Sequence, residues 1–196
     1  MVRTSIFKAP VAGRVRVAAL NIAGDEQSDL SVHGGIDKAV YAYPSEHYAF
    51  WRKELPDMEF PWGAFGENLT TEGLLETSIH IGDRLRIGTA EFQVTTPRVP
   101  CFKLEAKFER DDMIKRFLAS RLSGFYLKVL QKGELGAGSE IEAIGRDSDR
   151  IPVSDIARLH ASGDDDIEGL RRAAQSSALI ESWRENFRQR VKRLEA

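Results

Sequence analysis

The only cysteine of the chain lies in a segment whose charged neighbours favour its reactive form. Pro97 and Pro100 constrain the backbone before Cys101, Arg98 precedes the cysteine by three residues, and Lys103 follows it by two. A nearby positive charge favours thiolate over thiol, and the thiolate is both the nucleophile and the metal ligand. The segment therefore indicates a metal ligand or a nucleophile. The alternative is a buried and inert thiol, which is the commonest state of a free cysteine.

A single cysteine also limits which chemistry is available. It excludes an intrachain disulfide and any site built from several cysteines, such as a structural zinc or iron–sulfur site. A Cys–His hydrolase requires a histidine to approach Cys101 in the fold, and no local hydrolase signature is present. The chain offers four histidines for this role: His33, His47, His80 and His160.

A second candidate segment runs from His33 through Gly34 and Gly35 to Lys38, directly before a predicted strand. Paired glycines let the backbone approach a ligand and direct N–H groups at an anion. Lys38 adds a charge suited to phosphate, and His33 adds a titratable donor. The alternative is a tight turn in which Asp37 bonds its own backbone. The pattern is neither a Walker loop nor a GxGxxG motif, so it does not indicate ATP or NAD.

A third candidate is Asn68, within the segment GAFGENLT at 63–70. Its amide offers two donors and an acceptor, which suits the edge of a heterocycle. The alternative is a loop in which Asn68 and Glu67 satisfy backbone groups.

Residues 1–145 must supply the elements that position these side chains, and they indicate a mainly β fold. Short alternating stretches with glycine at the corners favour a closed β-barrel over a doubly wound sheet, because no regular alternation of strands and helices occurs. Two inserted helices are predicted near 44–55 and 112–123. Strands are predicted at 13–20, 38–43, 125–130 and 140–144, with a hairpin that turns at Gly88-Thr89.

After a polar linker, residues 152–196 change to helical periodicity and form a predicted second unit. Three short helices are expected, and the last one carries its apolar residues at spacings of three and four. Those residues are Ile180, Trp183, Phe187, Val191 and Leu194. Because a unit of this size buries little apolar surface alone, we expect this tail to pack on the barrel or on a second subunit.

The composition of the chain argues against nucleic acid and membranes as partners. The chain has 196 residues with 28 Lys and Arg against 30 Asp and Glu, and this near-balance argues against a nucleic-acid binder. No apolar run is long enough for a bilayer, and the first residues lack the apolar region of a signal peptide. We therefore expect a cytoplasmic protein without membrane contact.

Taken together, four segments resemble the MOSC-domain family, which is related to the C-terminal domain of molybdenum cofactor sulfurases. They are HGGIDKAVYAYPSEHYAFW, FGENLTTEGL, IGDRLRIG and TTPRVPCFKL, in that order. The tail segment LIESWRENFRQRV resembles the three-helix extension of the YiiM-like group, the N-hydroxylaminopurine-resistance proteins.

The resemblance implies a β-barrel of the pyruvate-kinase-insert type that holds the molybdenum cofactor, molybdopterin, with Cys101 as the metal ligand and catalytic residue. The implied reaction is the reduction of small N-hydroxylated compounds, such as purine bases, with electrons from a separate flavoprotein reductase, by a chain that can form a homodimer. Two alternatives stay open: a carrier of the cofactor or its sulfur without turnover, and a metal-free Cys-dependent transferase. The implied cofactor-binding residues are His33, Gly34, Gly35, Lys38, Asn68, Arg98 and Lys103.

Overall fold

The computed structural model describes residues 4–26, 34–161 and 166–196. The prediction for His33 therefore lies outside the described residues. Within the described ranges, no helix has both the length and the apolar character needed to cross a membrane.

Eight strands of the described ranges form a six-stranded mixed sheet and a two-stranded sheet. The larger sheet has the order β3-β2-β6-β5-β4-β8, in which only β2 and β3 run parallel, and the smaller sheet pairs β1 with β7. The strands are β1 Arg14–Val17, β2 Val40–Pro44, β3 Leu69–Thr71, β4 Arg84–Ile87, β5 Ala90–Pro97, β6 Phe125–Gln131, β7 Gly133–Gly136 and β8 Ile141–Gly145.

The larger sheet curls into a half-barrel. Its outer strands, β3 and β8, do not pair with each other among the described residues, so a closed barrel stays a prediction. The predicted hairpin of β4 and β5 is confirmed, with Leu85 opposite Phe92 and both side chains buried. Its turn requires glycine, because Gly88 has a φ of 61° and a Cβ there would lie 2.3 Å from the carbonyl oxygen of Glu134.

Three helices are inserted between the strands, where two were predicted: α1 His47–Glu54, α2 Phe102–Phe108 and α3 Met113–Ser120. The additional helix, α2, begins directly after Cys101 and buries Leu104 and Phe108, which are one helical turn apart. A further short 3-10 turn covers Ile36–Lys38. The first predicted helix starts three residues late, since Pro44 ends β2 opposite Thr71. A proline is tolerated at a strand end because fewer ladder hydrogen bonds need its missing N–H there.

The C-terminal tail packs on the sheet of its own chain. Its helices are α4 Val153–Ala161, α5 Ile167–Gln175 and α6 Glu181–Leu194. Ile156, Leu170 and Phe187 are buried in the same apolar cluster as Val94 and Phe125 of the sheet. Burial of this shared surface explains how three short helices remain folded. The division into domains of 1–145 and 152–196 stays a prediction.

A second, aromatic cluster holds α1 and α3 against β2. Trp51 and Tyr43 are fully buried, and the indole N–H of Trp51 donates to the Tyr43 hydroxyl over 2.7 Å. Phe65 and Phe117 complete the contact, with ring centroids 4.6 and 6.4 Å from that of Tyr43. This cluster also includes the buried face of α2, so it positions β2 and α2, two elements that contribute to the candidate site.

Candidate functional site

Five of the predicted site residues line one open cleft. They are Lys38, Asn68, Arg98, Cys101 and Lys103. They come from the 3-10 turn before β2, the residue before β3, the segment after β5 and the start of α2. The fold therefore brings together residues that lie up to 65 positions apart (103 minus 38) in the sequence.

Cys101 stands where β5 has ended and α2 begins. Its backbone is extended, its thiol forms no disulfide, and the residue is partly exposed to the cleft. Its carbonyl oxygen accepts the first hydrogen bond of α2, from the N–H of Leu104 over 2.8 Å. The buried and inert alternative does not describe this cysteine, because the side chain lines an open space.

Arg98 is the buried cation of the cleft, with 7% of its surface exposed. The centre of its guanidinium lies 5.0 Å from the ring centroid of Tyr41 and 5.3 Å from that of Phe117. Burial lowers the pKa of Arg98, but Tyr41, Tyr126 and Cys101 together raise it above its ordinary value. The nitrogen Nη1 is buried and finds no hydrogen-bond partner within the described part of the chain.

Two tyrosines that sequence reasoning assigned to no site form the cleft wall beside Arg98. Tyr41 of β2 and Tyr126 of β6 are paired across the two strands, and their ring centroids are 5.4 Å apart. Burial raises the pKa of both phenols, and the Tyr41 hydroxyl donates to the carbonyl oxygen of Ser123 over 2.8 Å. Strand alternation alone could have placed these two rings on one face, but not beside a buried arginine.

Asn68 lines the cleft, yet its side-chain amide is bonded at both ends within the chain. Its Oδ1 accepts from the N–H of Tyr41 over 2.9 Å, and its Nδ2 donates to Asp25 over 2.6 Å. Asp25 in turn forms an ion pair with Lys8. The alternative reading, an asparagine that satisfies backbone groups, describes these contacts. A heterocycle could use this amide only by replacing one of them.

The glycine pair forms the tight turn that was the alternative to an anion loop. Gly35 has a φ of 102°, and its carbonyl oxygen accepts from the N–H of Lys38 over 3.1 Å. Neither Gly34 nor Gly35 lines the cleft. Lys38 does line it, and its ammonium lies 6.0 Å from the ring centroid of Tyr126.

The described histidines are engaged elsewhere. His47 pairs with Glu76 over 2.8 Å, and His80 pairs with Asp83 over 3.3 Å. The ring of His160 packs against Trp183 with centroids 4.8 Å apart. None of the three lines the Cys101 cleft, and the fourth histidine, His33, lies outside the described residues.

Protein ligands for a metal are sparse across the described residues. No group of three or more His, Cys, Asp or Glu side chains is found there that could hold an ion.

The N-terminal segment and the loop at 63–70 close one side of the cleft, and Lys107 of α2 joins them. Its ammonium donates to the carbonyl oxygens of Ile6 over 3.0 Å and Gly63 over 2.6 Å. Burial lowers the pKa of Lys107 to about 8. Gly66 allows the close approach, because a Cβ there would lie 2.7 Å from the Ile6 side chain.

Glu67, buried inside the same loop, collects four donors and was not predicted as a functional residue. Its carboxylate accepts from the N–H groups of Gly63 and Phe65 over 2.9 and 3.1 Å, and from the hydroxyl of Thr70 over 3.0 Å. The Tyr48 hydroxyl is the fourth donor. Burial and this carboxylate raise the pKa of Tyr48. Glu67 therefore holds the loop that presents Gly66 and Asn68 to the cleft.

Comparison with known proteins identifies similar chains. A model of the MOSC domain matches residues 29–142. Over 193 residues the chain is 38% identical to the uncharacterized protein YflK of Bacillus subtilis, covering 98% of this chain and 87% of that one. The crystal structure of YiiM from Geobacillus stearothermophilus superimposes with a TM-score of 0.84 at 36% identity, covering 96% and 90% of the two chains. A protein of Gibberella moniliformis named "Reductase" is 32% identical over 161 residues, which are 81% of this chain and 28% of that protein.

Proposed function

The chain belongs to the MOSC-domain family, in its YiiM-like group, and from this premise we propose that it is a molybdenum-cofactor-dependent reductase of N-hydroxylated compounds. One observation carries the proposal: a partly exposed cysteine and four cations, of which Lys8 is paired with Asp25, line a single cleft. The reductase name of the fungal relative supports the reaction class.

The donor set of the cleft fits the cofactor. Molybdenum favours soft sulfur ligands, and Cys101 is the soft donor of this cleft. The phosphate of the pterin needs cations, which Lys38, Arg98 and Lys103 supply. Tyr41 and Tyr126 keep their phenols protonated because burial raises their pKa, so they add no negative charge beside that phosphate.

The proposed reaction is balanced by two electrons and two protons. The N–O bond of the substrate breaks, one proton goes to the nitrogen, which becomes an amine or amide, and the other goes to the oxygen, which leaves as water. The bound cofactor supplies the two-electron transfer. In this chain Cys101 holds the metal, and the cations hold the phosphate.

The proposal also includes an electron-donor protein, an oligomeric state and a cellular location. A sequence with one cysteine holds no iron–sulfur site, and no flavin motif was found, so a separate flavoprotein reductase is the proposed electron donor. Assembly as a homodimer and a cytoplasmic location belong to the same proposal. Sedimentation analysis of the protein alone tests the homodimer, and sedimentation with the reductase added tests the interaction with that electron donor.

The deciding experiment replaces Cys101 with serine in protein produced by a host that makes the cofactor. Cys101→Ser keeps the size of the side chain but exchanges a soft donor for a hard, mostly protonated one. We expect molybdenum content and reduction of a hydroxamate to fall at least tenfold, with the melting temperature within about 2 °C of wild type. The control is Ala119→Ser on the exposed face of α3, which lines neither the cleft nor its walls.

Two results would contradict the proposal. Retained turnover in Cys101→Ser removes the cysteine from the reaction. Wild-type protein that carries molybdenum but reduces no N-hydroxylated compound with any flavoprotein donor favours the carrier instead.

A further inference from the structure

The cleft beside Cys101 is small for a ligand of cofactor size. Although it opens to solvent, its cavity volume is about 120 Å³. Pockets that hold cofactors and other small molecules enclose roughly 300–1,000 Å³. A ligand of that size therefore enters only if one wall of the cleft moves.

The N-terminal segment is the wall that can move at the lowest cost. Residues 4–8, which we call the strap, contribute Thr4, Ser5, Ile6 and Lys8 to the cleft lining. Within the described ranges, residues 4–12 belong to no helix and pair with no strand. Other walls come from β2, β6 and α2, whose backbones are hydrogen-bonded in a sheet or a helix. A segment without such bonds opens more readily than a strand or a helix.

Two glycines shape the surface on which the strap lies. Gly63 and Gly66 have φ angles of 85° and 80°, a region that favours glycine. A Cβ at Gly66 would lie 2.7 Å from the Cγ1 of Ile6, and one at Gly63 would lie 3.1 Å from the Cβ of Lys8. Glycine at both positions therefore lets the strap approach the loop at 63–70 closely.

Lys107 of α2 joins the strap to this loop. Its ammonium donates to the carbonyl oxygen of Ile6 in the strap over 3.0 Å and to that of Gly63 in the loop over 2.6 Å. Hydrogen bonds from a charged donor are stronger than those between neutral groups. Lys107 does not line the cleft itself, so it affects the cleft only through the strap and the loop.

The apolar hold on the strap is small. Ile6 is partly buried against the aromatic cluster, whereas Phe7 is 66% exposed although its ring centroid lies 5.6 Å from the Lys107 ammonium. The other polar contact is the ion pair of Lys8 with Asp25. The closed position therefore depends on the polar contacts of Lys107 and Lys8, since little apolar surface is buried with them.

We propose that the strap opens to admit a ligand of cofactor size to the Cys101 cleft, and that Lys107 is the positioning residue that holds the strap closed. The proposal concerns access to the cleft and does not depend on which reaction occurs there. A readout of access without turnover can therefore test it, whether or not the proposed function is correct.

The rate at which Cys101 reacts with thiol reagents measures access, because this is the only cysteine of the chain. Cofactor-free protein is reacted with a small reagent, iodoacetamide, and with a bulky one, fluorescein maleimide. Lys107→Met keeps a long, unbranched side chain and removes its donors. The ratio of the bulky to the small rate should rise at least tenfold in this variant. A change in the thiol pKa alters both rates alike, so the ratio reports the size of the opening.

Matched variants separate opening of the strap from a general loss of stability. Lys115→Met makes the same change on the exposed face of α3 and should leave the ratio unchanged. Gly66→Ala should raise the ratio by displacing Ile6, whereas Gly73→Ala, at φ 74° with open space around it, should not. An unchanged ratio in both Lys107→Met and Gly66→Ala overturns the proposal.

Trypsin cleavage after Lys8 measures the strap directly, because a protease cuts a segment only when it is released from the fold. The N-terminal fragment, identified by its mass, should form at least tenfold faster in Lys107→Met than in wild type or Lys115→Met. Equal rates in wild type and Lys107→Met overturn the role of Lys107. Retained turnover in Cys101→Ser would contradict the proposed function and leave both of these readouts unaffected.

Discussion

Replacement of Glu67 by glutamine tests whether a buried carboxylate holds the loop beside the cleft. Oε1 accepts from Tyr48, Gly63 and Thr70, whereas Oε2 accepts only from the N–H of Phe65. A glutamine would keep its oxygen where three donors converge and place its NH₂ against the N–H of Phe65. One buried donor would then face another donor.

The expected cost follows from these contacts. An unsatisfied buried N–H costs about 2 kcal/mol, and three hydrogen bonds lose charge assistance worth about 0.5 kcal/mol each. The neutral glutamine avoids the desolvation penalty of a buried carboxylate, which offsets part of this cost. We therefore expect Glu67→Gln to destabilise the fold by about 3 kcal/mol. For a chain of this length the melting temperature should drop by about 6–12 °C.

Chemical denaturation and thermal unfolding measure the effect, with Thr70→Val as the matched control. That variant removes one of the four donors and leaves the carboxylate in place, so its cost should be about 1 kcal/mol. If Glu67→Gln lies within about 1 kcal/mol of wild type, the four contacts do not hold the loop and the reasoning is refuted.

Two further predictions concern the tyrosines and a tight backbone approach. Burial raises the pKa of all four tyrosines above 10.0, so native protein holds phenol protons that unfolded protein loses. The free energy of unfolding should therefore keep its full value below pH 10 and fall above it. Tyrosinate absorbance should rise only as the circular dichroism of the folded protein is lost. A rise in tyrosinate absorbance while the circular dichroism is still native would contradict this. Gly124→Ala should cost about 3 kcal/mol in denaturation, because its φ is 60° and its Cβ would lie 2.5 Å from the Ala42 oxygen. Gly138→Ala, at φ 77° with open space, should cost only about 1 kcal/mol, and equal costs would refute the steric argument.

Local sequence determined those parts of the fold whose signal is contained in a few neighbouring residues. The alternation of Leu85, Ile87, Phe92 and Val94 predicted the hairpin, because side chains on a strand alternate between two faces. The spacing of residues along α6 predicted its buried face, centred on Phe187. The charged surroundings of Cys101 marked it as a candidate, since those neighbours are adjacent in sequence.

Other local segments gave too weak a signal for the sequence to decide. Strand β3 has three residues and exists because it pairs in parallel with β2. Helix α2 has seven residues and owes its position to the burial of Leu104 and Phe108. Segments this short are not stable alone, so their structure depends on the surfaces that they cover.

The candidate site shows the same difference between what local sequence predicted and what the tertiary structure decided. Sequence identified Cys101, Lys38, Arg98 and Lys103 as chemically suited residues, and the cleft contains all four. Only the tertiary structure decided that Arg98 is buried against tyrosines from two other strands, leaving one nitrogen without an acceptor. It also decided that the N-terminal strap forms one wall of the cleft. These contacts join residues far apart in the chain, and their energies depend on burial and distance, which exist only once the chain has folded.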